Sequence, residues 1–144
     1  MKITFTLLFL TLVILEISIT YAKPKTNVSI QQNTVESLLN GLNSENIGLK
    51  SSCAYMIGEL QISKAVIPLM KMLRESENED LRIAAALALY KIGTPMAIYA
   101  VKQAIRFDES ERVSKHCANF YNDFFKNKIA DEEISMVAAK TALK

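Results

Sequence analysis

The adjacent residues His116 and Cys117 are the pair in this sequence whose side chains could support nucleophilic catalysis. A catalytic cysteine needs its base within hydrogen-bond reach. Neighbouring residues of a helix point about 100° apart, because a turn takes 3.6 residues, so this pair is not placed as a nucleophile and its base. The sequence has one histidine and two cysteines, without CxxC or HxxxH spacing, so it predicts no metal site.

Other spacings that carry chemistry are also missing from the sequence. It contains no serine-nucleophile elbow, phosphate loop, zincin helix or calcium loop, and the acidic stretch 75–80 lacks the glycine that a calcium loop needs. The paired carboxylates Glu132 and Glu133 are best interpreted as the start of a helix, where they favour the helix dipole. The sequence therefore predicts a protein that is not an enzyme and that holds no cofactor.

Composition indicates one ordered domain with an unremarkable electric field. The chain has 144 residues, of which half are apolar, and its 17 basic and 15 acidic residues are interspersed and leave a net charge of +2. So small a charge gives no strong field for holding a duplex, which argues against nucleic acid as the partner.

The first residues have the pattern of a signal peptide. Lys2 precedes an apolar run over 3–15, Glu16 ends that run, and the small residues Thr20 and Ala22 fit a cleavage site. A membrane-spanning helix needs about 20 apolar residues, so an uncleaved anchor is the alternative to cleavage. We expect an exported protein, periplasmic or secreted, with no stable membrane span after cleavage.

This interpretation divides the chain into a signal peptide over 1–22, a flexible entry segment over 23–32 and a folded domain over 33–144. The entry segment contains Asn27-Val28-Ser29, a glycosylation acceptor that matters only in a secretory pathway with the transferase.

Apolar residues in the folded domain recur at a shift of 32 residues without a gap. The aligned pairs are Ala54 with Ala86, Ile57 with Leu89, Leu60 with Ile92, Ala65 with Ala97, Val66 with Ile98, Leu69 with Val101, and Leu73 with Ile105. A second shift of 32 places Ala118, Tyr121 and Phe124 in the same register. A period of this length is typical of a solenoid with divergent terminal repeats.

Within each unit the apolar residues are spaced by three and four, which is helix spacing, and this happens twice per repeat. We expect a lone helix over 33–42, followed by the pairs 46–60 with 64–74, 78–92 with 95–106, and 109–125 with 130–143. A few extra residues around 126–129 separate the last two helices. The aromatic residues of the last unit, Phe120, Tyr121, Phe124 and Phe125, are expected to pack against the final helix.

Side-chain oxygens mark the helix starts. Ser76 and Asp108 each stand three residues before a Glu, the arrangement of a capping box. Thr94-Pro95 predicts another start, since threonine caps the helix and proline suits its first position. Pro68 falls inside a predicted helix and must bend it or delay its start.

The in-phase units resemble the HEAT repeat, in particular its short bilin-lyase-like variety. The likeness covers about 33–125 and is carried by Ala54-Tyr55-Met56-Ile57-Gly58-Glu59-Leu60, by Leu81-Arg82 and by Ala86-Leu87-Ala88-Leu89-Tyr90-Lys91-Ile92-Gly93. It implies an all-α, right-handed α-solenoid. It does not name a function, since such repeats occur in scaffolds, adaptors, lyases and DNA glycosylases. Tyr90 replaces the glycine that Gly58 supplies, so we expect different helix packing there.

The resemblance also implies that the second helices of the repeats line a concave face that binds a protein partner. The outward-facing residues there are Lys64, Ile67, Lys71, Arg74, Tyr99, Lys102, Gln103 and Arg106. An aromatic side chain beside arginines is the composition of a protein-binding hot spot, although an ordinary solvated face would look similar. The alternatives are a small acidic ligand in the same place, or oligomers formed through the apolar ends, so the oligomeric state stays open.

Cys53 and Cys117 occupy equivalent positions two repeats apart, with Ala85 between them. Helices pack about 10 Å apart, which separates the two cysteines by about 20 Å. A disulfide needs a far shorter Cα distance. We therefore expect two unpaired, buried thiols.

Overall fold

The computed structural model describes residues 31–142. The predicted signal peptide, most of the predicted entry segment and Asn27 lie outside these residues. The described chain contains six α-helices and no strand, which confirms the all-α solenoid. None of these helices is both long and apolar enough to cross a membrane.

The helices follow one another with short connections. They are α1 (Gln32–Gly41), α2 (Ile47–Glu59), α3 (Val66–Glu75), α4 (Glu79–Ile92), α5 (Pro95–Phe107) and α6 (Glu111–Ala142), with a 3-10 turn over Ser63–Ala65 before α3. The pairs α2 with α3 and α4 with α5 are the first two predicted repeats. First helices pack on first helices, α2 on α4 and α4 on α6, while α3 packs on both α4 and α5.

The core lies between the layers and is built from the apolar residues of the 32-residue period. Its largest fully buried side chains are Ile57, Leu69, Leu89, Val101, Val113 and Cys117. The first helices carry small residues where they touch, and Ala54, Ala85, Ala86 and Ala88 are fully buried. Small side chains allow the helices to lie close together.

Three equivalent side chains cap the first helices of the repeats. Asn46 accepts a hydrogen bond from the amide of Leu49 at 3.0 Å, Asn78 from that of Leu81 at 3.1 Å, and Ser110 from that of Val113 at 3.4 Å. The three caps are spaced by 32 residues, like the core.

The predicted caps Ser76 and Asp108 are therefore wrong, each by two residues. The nearer acceptors Asn78 and Ser110 reach the amides of the first turn, and Asp108 instead accepts from the amide of Ser110 at 2.9 Å. The start at Thr94-Pro95 is confirmed, since Thr94 Oγ1 accepts from the amide of Ala97.

The turn inside each of the first two repeats passes through a left-handed backbone conformation. Gln61 has φ 50° and Gly93 has φ 68°, and these two positions are equivalent. Pro68 lies in the first turn of α3, where backbone amides have no partner within the helix, so it needs no bend. The 3-10 turn before it delays the start of the helix, as expected.

Helix α6 corrects the last predicted pair. It runs without interruption from Glu111 to Ala142, so the expected break around 126–129 is absent. The final helix does not fold back onto the aromatic residues of the third unit. Phe120, Tyr121 and Phe124 are therefore only half-buried, and Phe125 is 40% exposed.

Ion pairs tie the repeats to one another. Arg82 on α4 binds Asp108 through two hydrogen bonds of 3.0 Å, and its Nη1 also donates to the Ser76 carbonyl at 2.8 Å. Arg112 on α6 binds Asp80 on α4 at 2.6 Å, and Lys91 on α4 binds Glu59 on α2. The last two pairs join residues at equivalent positions of adjacent repeats.

Candidate functional site

The eight predicted partner-binding residues lie on the second helices. Lys64 is in the 3-10 turn, Ile67, Lys71 and Arg74 are on α3, and Tyr99, Lys102, Gln103 and Arg106 are on α5. All are exposed except Gln103, which is half-buried. We call these eight residues the binding strip.

Two large apolar side chains stand at equivalent positions of the strip. Ile67 is 61% exposed and Tyr99 is 60% exposed. Both belong to helices whose other face is buried in the core, so packing within the described residues does not account for them. A tyrosine offers a large contact area with little loss of side-chain freedom, which suits a binding surface.

The second helices also hold most of the positive charge of the repeats. Ser63–Glu75 and Pro95–Phe107 contain five basic residues and one acidic residue, Glu75. The first helices α2 and α4 contain three of each sign. The strip is therefore a cationic face on a nearly neutral domain.

Few of these cations are neutralised within the described part of the chain. Glu75 binds Arg74 at 2.8 Å and approaches Lys71 at 4.0 Å, and the hydrogen bond from Arg74 lowers the pKa of that carboxyl group. No carboxylate of residues 31–142 forms an ion pair with Lys64, Lys102 or Arg106. Lys102 instead lies 5.9 Å from the centre of the Tyr121 ring.

A groove of about 960 Å³ runs between the C-terminal halves of α3 and α5. Its apolar lining includes Met70, Leu73, Ala100 and Ala104, and Tyr99 and Phe107 stand on it. The helix ends and turns beside this floor add Glu75, Glu77, Glu79 and Glu109, together with Arg74 and Arg82. The groove thus joins an apolar floor to a charged end.

Sequence reasoning missed Phe107, which is 71% exposed, the most of any large apolar residue described. It follows Tyr99 by eight residues and Gln103 by four, a spacing that places all three on one side of α5. That spacing was the signal that could have added it to the strip.

His116 and Cys117 differ in how deeply their side chains are buried. His116 is half-buried with its ring 6.0 Å from that of Phe120, while Cys117 is fully buried. Burial, with a smaller contribution from Asp108, raises the pKa of the Cys117 thiol to about 12, so it is a poor nucleophile at neutral pH. Cys53 is also buried and both cysteines are free, which confirms the prediction of two unpaired thiols.

Residues 35–119 match the family described as HEAT repeats. The chain belongs to the HEAT-repeat family. A search of the curated proteins finds no match. HEAT repeats generally mediate contacts between proteins. Within residues 31–142, no three His, Cys, Asp or Glu side chains are grouped so that they could hold a metal ion.

Proposed function

We propose that this HEAT-repeat protein is a non-catalytic module that binds a protein partner on the binding strip. The observation that carries the proposal is the exposed pair Ile67 and Tyr99, flanked on both helices by cations that few carboxylates of the described chain neutralise. Apolar anchors surrounded by charge are typical of the centre and rim of a protein interface.

The charge of the strip specifies the partner further. A partner that places an apolar side chain against Ile67 and Tyr99 brings its rim opposite Lys71, Lys102 and Arg106. Carboxylates on that rim complement the strip and speed the encounter, while lysines there would be repelled.

The location and subtype belong to the same proposal. The apolar run over 3–15 supports export, so the partner is sought in the cell envelope or outside the cell. The 32-residue period and the glycine at position 58 support the short bilin-lyase-like variety of the repeat.

The test is a cross-linking capture of partners from the envelope and culture fluid, with the native protein compared to a variant. The variant carries Lys71→Glu, Lys102→Glu and Arg106→Glu. A matched variant with Lys115→Glu, Lys126→Glu and Lys128→Glu makes the same change of charge on exposed residues of α6. Circular dichroism verifies that both variants fold.

We expect the native protein and the α6 variant to capture the same partner, which the strip variant loses. Capture should also weaken as salt is added, because exposed charges are screened. Equal capture by all three proteins would exclude the strip as the binding site.

A further inference from the structure

The C-terminal part of α6 has the sequence of a second helix that is missing from the third repeat. In the first repeat, the second helix and the turn before it bury five residues at 8% exposure or less, which are Ala65, Val66, Leu69, Met72 and Leu73. A shift of 32 gives Ala97, Ile98, Val101, Ala104 and Ile105, which are buried or half-buried. A second shift of 32 gives Ile129, Ala130, Glu133, Met136 and Val137. Four of these five residues are apolar.

These residues are uncovered in the structure. Ile129 is 56% exposed, Met136 is 61% exposed and Val137 is 63% exposed. These apolar residues repeat the spacing of buried core residues, but no other element of the described chain packs against their face of the helix. Such a face marks a surface that another element buries.

The chain does not supply that element by folding back on itself, because the turn is missing. The turns of the first two repeats pass through Gln61 and Gly93 in the left-handed conformation. The equivalent residue of the third repeat is Phe125, and the next three, 126–128, contain no glycine or proline. A bulky aromatic residue disfavours positive φ, so the helix continues straight.

The third repeat is consequently left open at the place of its second helix. Met70 of α3 lines the groove against α5, and its equivalent on α5 is Lys102, whose Nζ lies 5.9 Å from the centre of the Tyr121 ring on α6. Tyr121 and Phe125 on α6 lie beside this open place, with their ring centres 4.9 Å apart. Ile105 on α5 is half-buried. This open end of α5 and α6 has the apolar character of an uncapped solenoid.

We propose that residues 129–142 of one copy fill the open end of a second copy, and that residues 129–142 of the second copy fill the open end of the first. Exchange of an identical element between two copies gives a closed, two-fold symmetric dimer. The straight α6 keeps the segment out of the place of its own second helix, and Met136 instead lines a groove with Gly58 and Tyr90. The place in the third repeat is thereby left for the segment of another copy.

Charge supports a second copy as the occupant. Compared with α3, the later second helices replace apolar residues by charged ones: Lys102 stands at the position of Met70, and Asp131, Glu132 and Glu133 stand at the positions of Ile67, Pro68 and Leu69. The charge on α5 and the charges on the segment have opposite signs. Lys102 belongs to the open end and Glu133 to the segment, so the exchange brings them to the same interface, where each balances the other.

The experiment measures the mass of the full chain in solution by sedimentation equilibrium over a range of concentrations. We expect the native chain to form a dimer. Val137→Asp should raise the dissociation constant of that dimer about 100-fold or more, because an unpaired carboxylate would be buried. Ile134→Asp is the matched control, since Ile134 is 67% exposed but lies outside the five core positions. It should leave the mass unchanged.

Two further variants identify the exchange itself. Lys102→Glu alone should weaken the dimer, and adding Glu133→Lys to it should restore association. Phe125→Gly supplies the missing turn, so the segment can fold onto its own repeat and the protein should become monomeric. Circular dichroism verifies the fold of each variant.

A native chain that is monomeric at every concentration would overturn the proposal. So would an equal effect of Val137→Asp and Ile134→Asp, or a charge exchange that fails to restore association. Lys102 belongs to both the binding strip and the open end, so Val137→Asp, which lies outside the strip, separates the two proposals. This variant should weaken the dimer and still capture the partner of the strip.

Discussion

Gly58 on α2 lies directly against the backbone of Ala88 on α4. A Cβ atom added at Gly58 would come within 2.8 Å of the Ala88 Cα atom, closer than van der Waals contact allows. The first helices of the two repeats therefore approach each other through a glycine and an alanine. At the equivalent position of the next repeat, Tyr90 stacks on Phe120 with ring centres 5.7 Å apart, so the packing differs there as expected.

Gly58→Ala should lower the stability of the protein although alanine is the better helix former. Overpacking against a backbone costs about 1–3 kcal/mol, while the gain in helix propensity is about 1 kcal/mol. Urea unfolding followed by circular dichroism measures the difference. Gly48→Ala is the control, because only the Asn46 side chain lies near the added atom. A variant at position 58 that is more stable than the native protein would contradict the close approach.

Arg82→Ala should be among the most destabilising substitutions. The side chains of Arg82 and Asp108 are 13% and 6% exposed, so loss of the arginine leaves a buried carboxylate without its partner. Removing one member of a buried pair costs about 3–5 kcal/mol.

The matched control for this pair is Arg112→Ala. Arg112 binds Asp80 in a pair whose side chains are 55% and 69% exposed, and such surface pairs contribute at most about 1 kcal/mol. Urea unfolding should separate the two variants clearly. Equal losses of stability would show that Arg82 does not join the repeats in the way its contacts indicate.

The repeats could be predicted from the sequence because one period controls both packing and helix length. Ile57 and Leu89 fall on buried positions one period apart, and so do Leu69 and Val101. A buried position tolerates few residue types, so the apolar register leaves a clear signal.

The path of α6 could not be predicted from the same register. The apolar pattern of 130–143 is that of a second helix, but pattern alone does not show whether the chain turns at 126–129. The turn depends on the backbone at position 125, where phenylalanine replaces Gly93. Comparison of the three equivalent turn residues, rather than of the core, would have revealed the difference.

The strip residues could be predicted as exposed by subtracting the core positions, and seven of the eight are exposed. The groove could not be predicted, because its charged end combines the turns after α3 and α5. Glu77 and Glu109 lie on different turns and line one groove only when the two helices pack side by side.

Asn78→Ala should destabilise the protein by about 1 kcal/mol, the usual contribution of an N-cap. The variant leaves the amide of Leu81 without the acceptor that now lies at 3.1 Å. Asn78→Asp keeps an acceptor oxygen and adds a negative charge at the positive end of the helix dipole, so it should retain the stability. Thermal unfolding measures both. The same loss for alanine and aspartate would argue against capping by this side chain.

Cys117 should make the stability of the protein fall in alkaline solution. Burial raises the pKa of its thiol from 9.0 to about 12, so the folded state holds the proton more tightly than the unfolded state does. The resulting stabilisation is complete below pH 9 and is lost as the pH rises toward 12, because the unfolded chain then gains stability by losing the proton.

Urea unfolding of the native protein and of Cys117→Ala between pH 8 and 11 tests this linkage. Lysine and tyrosine side chains titrate in both proteins, so only the difference between the two curves belongs to the thiol. We expect the native protein to lose more stability than the variant above about pH 9, the ordinary thiol value being close to that pH. Parallel curves would show that the thiol ionises as easily in the folded protein as in the unfolded chain, which would contradict its full burial.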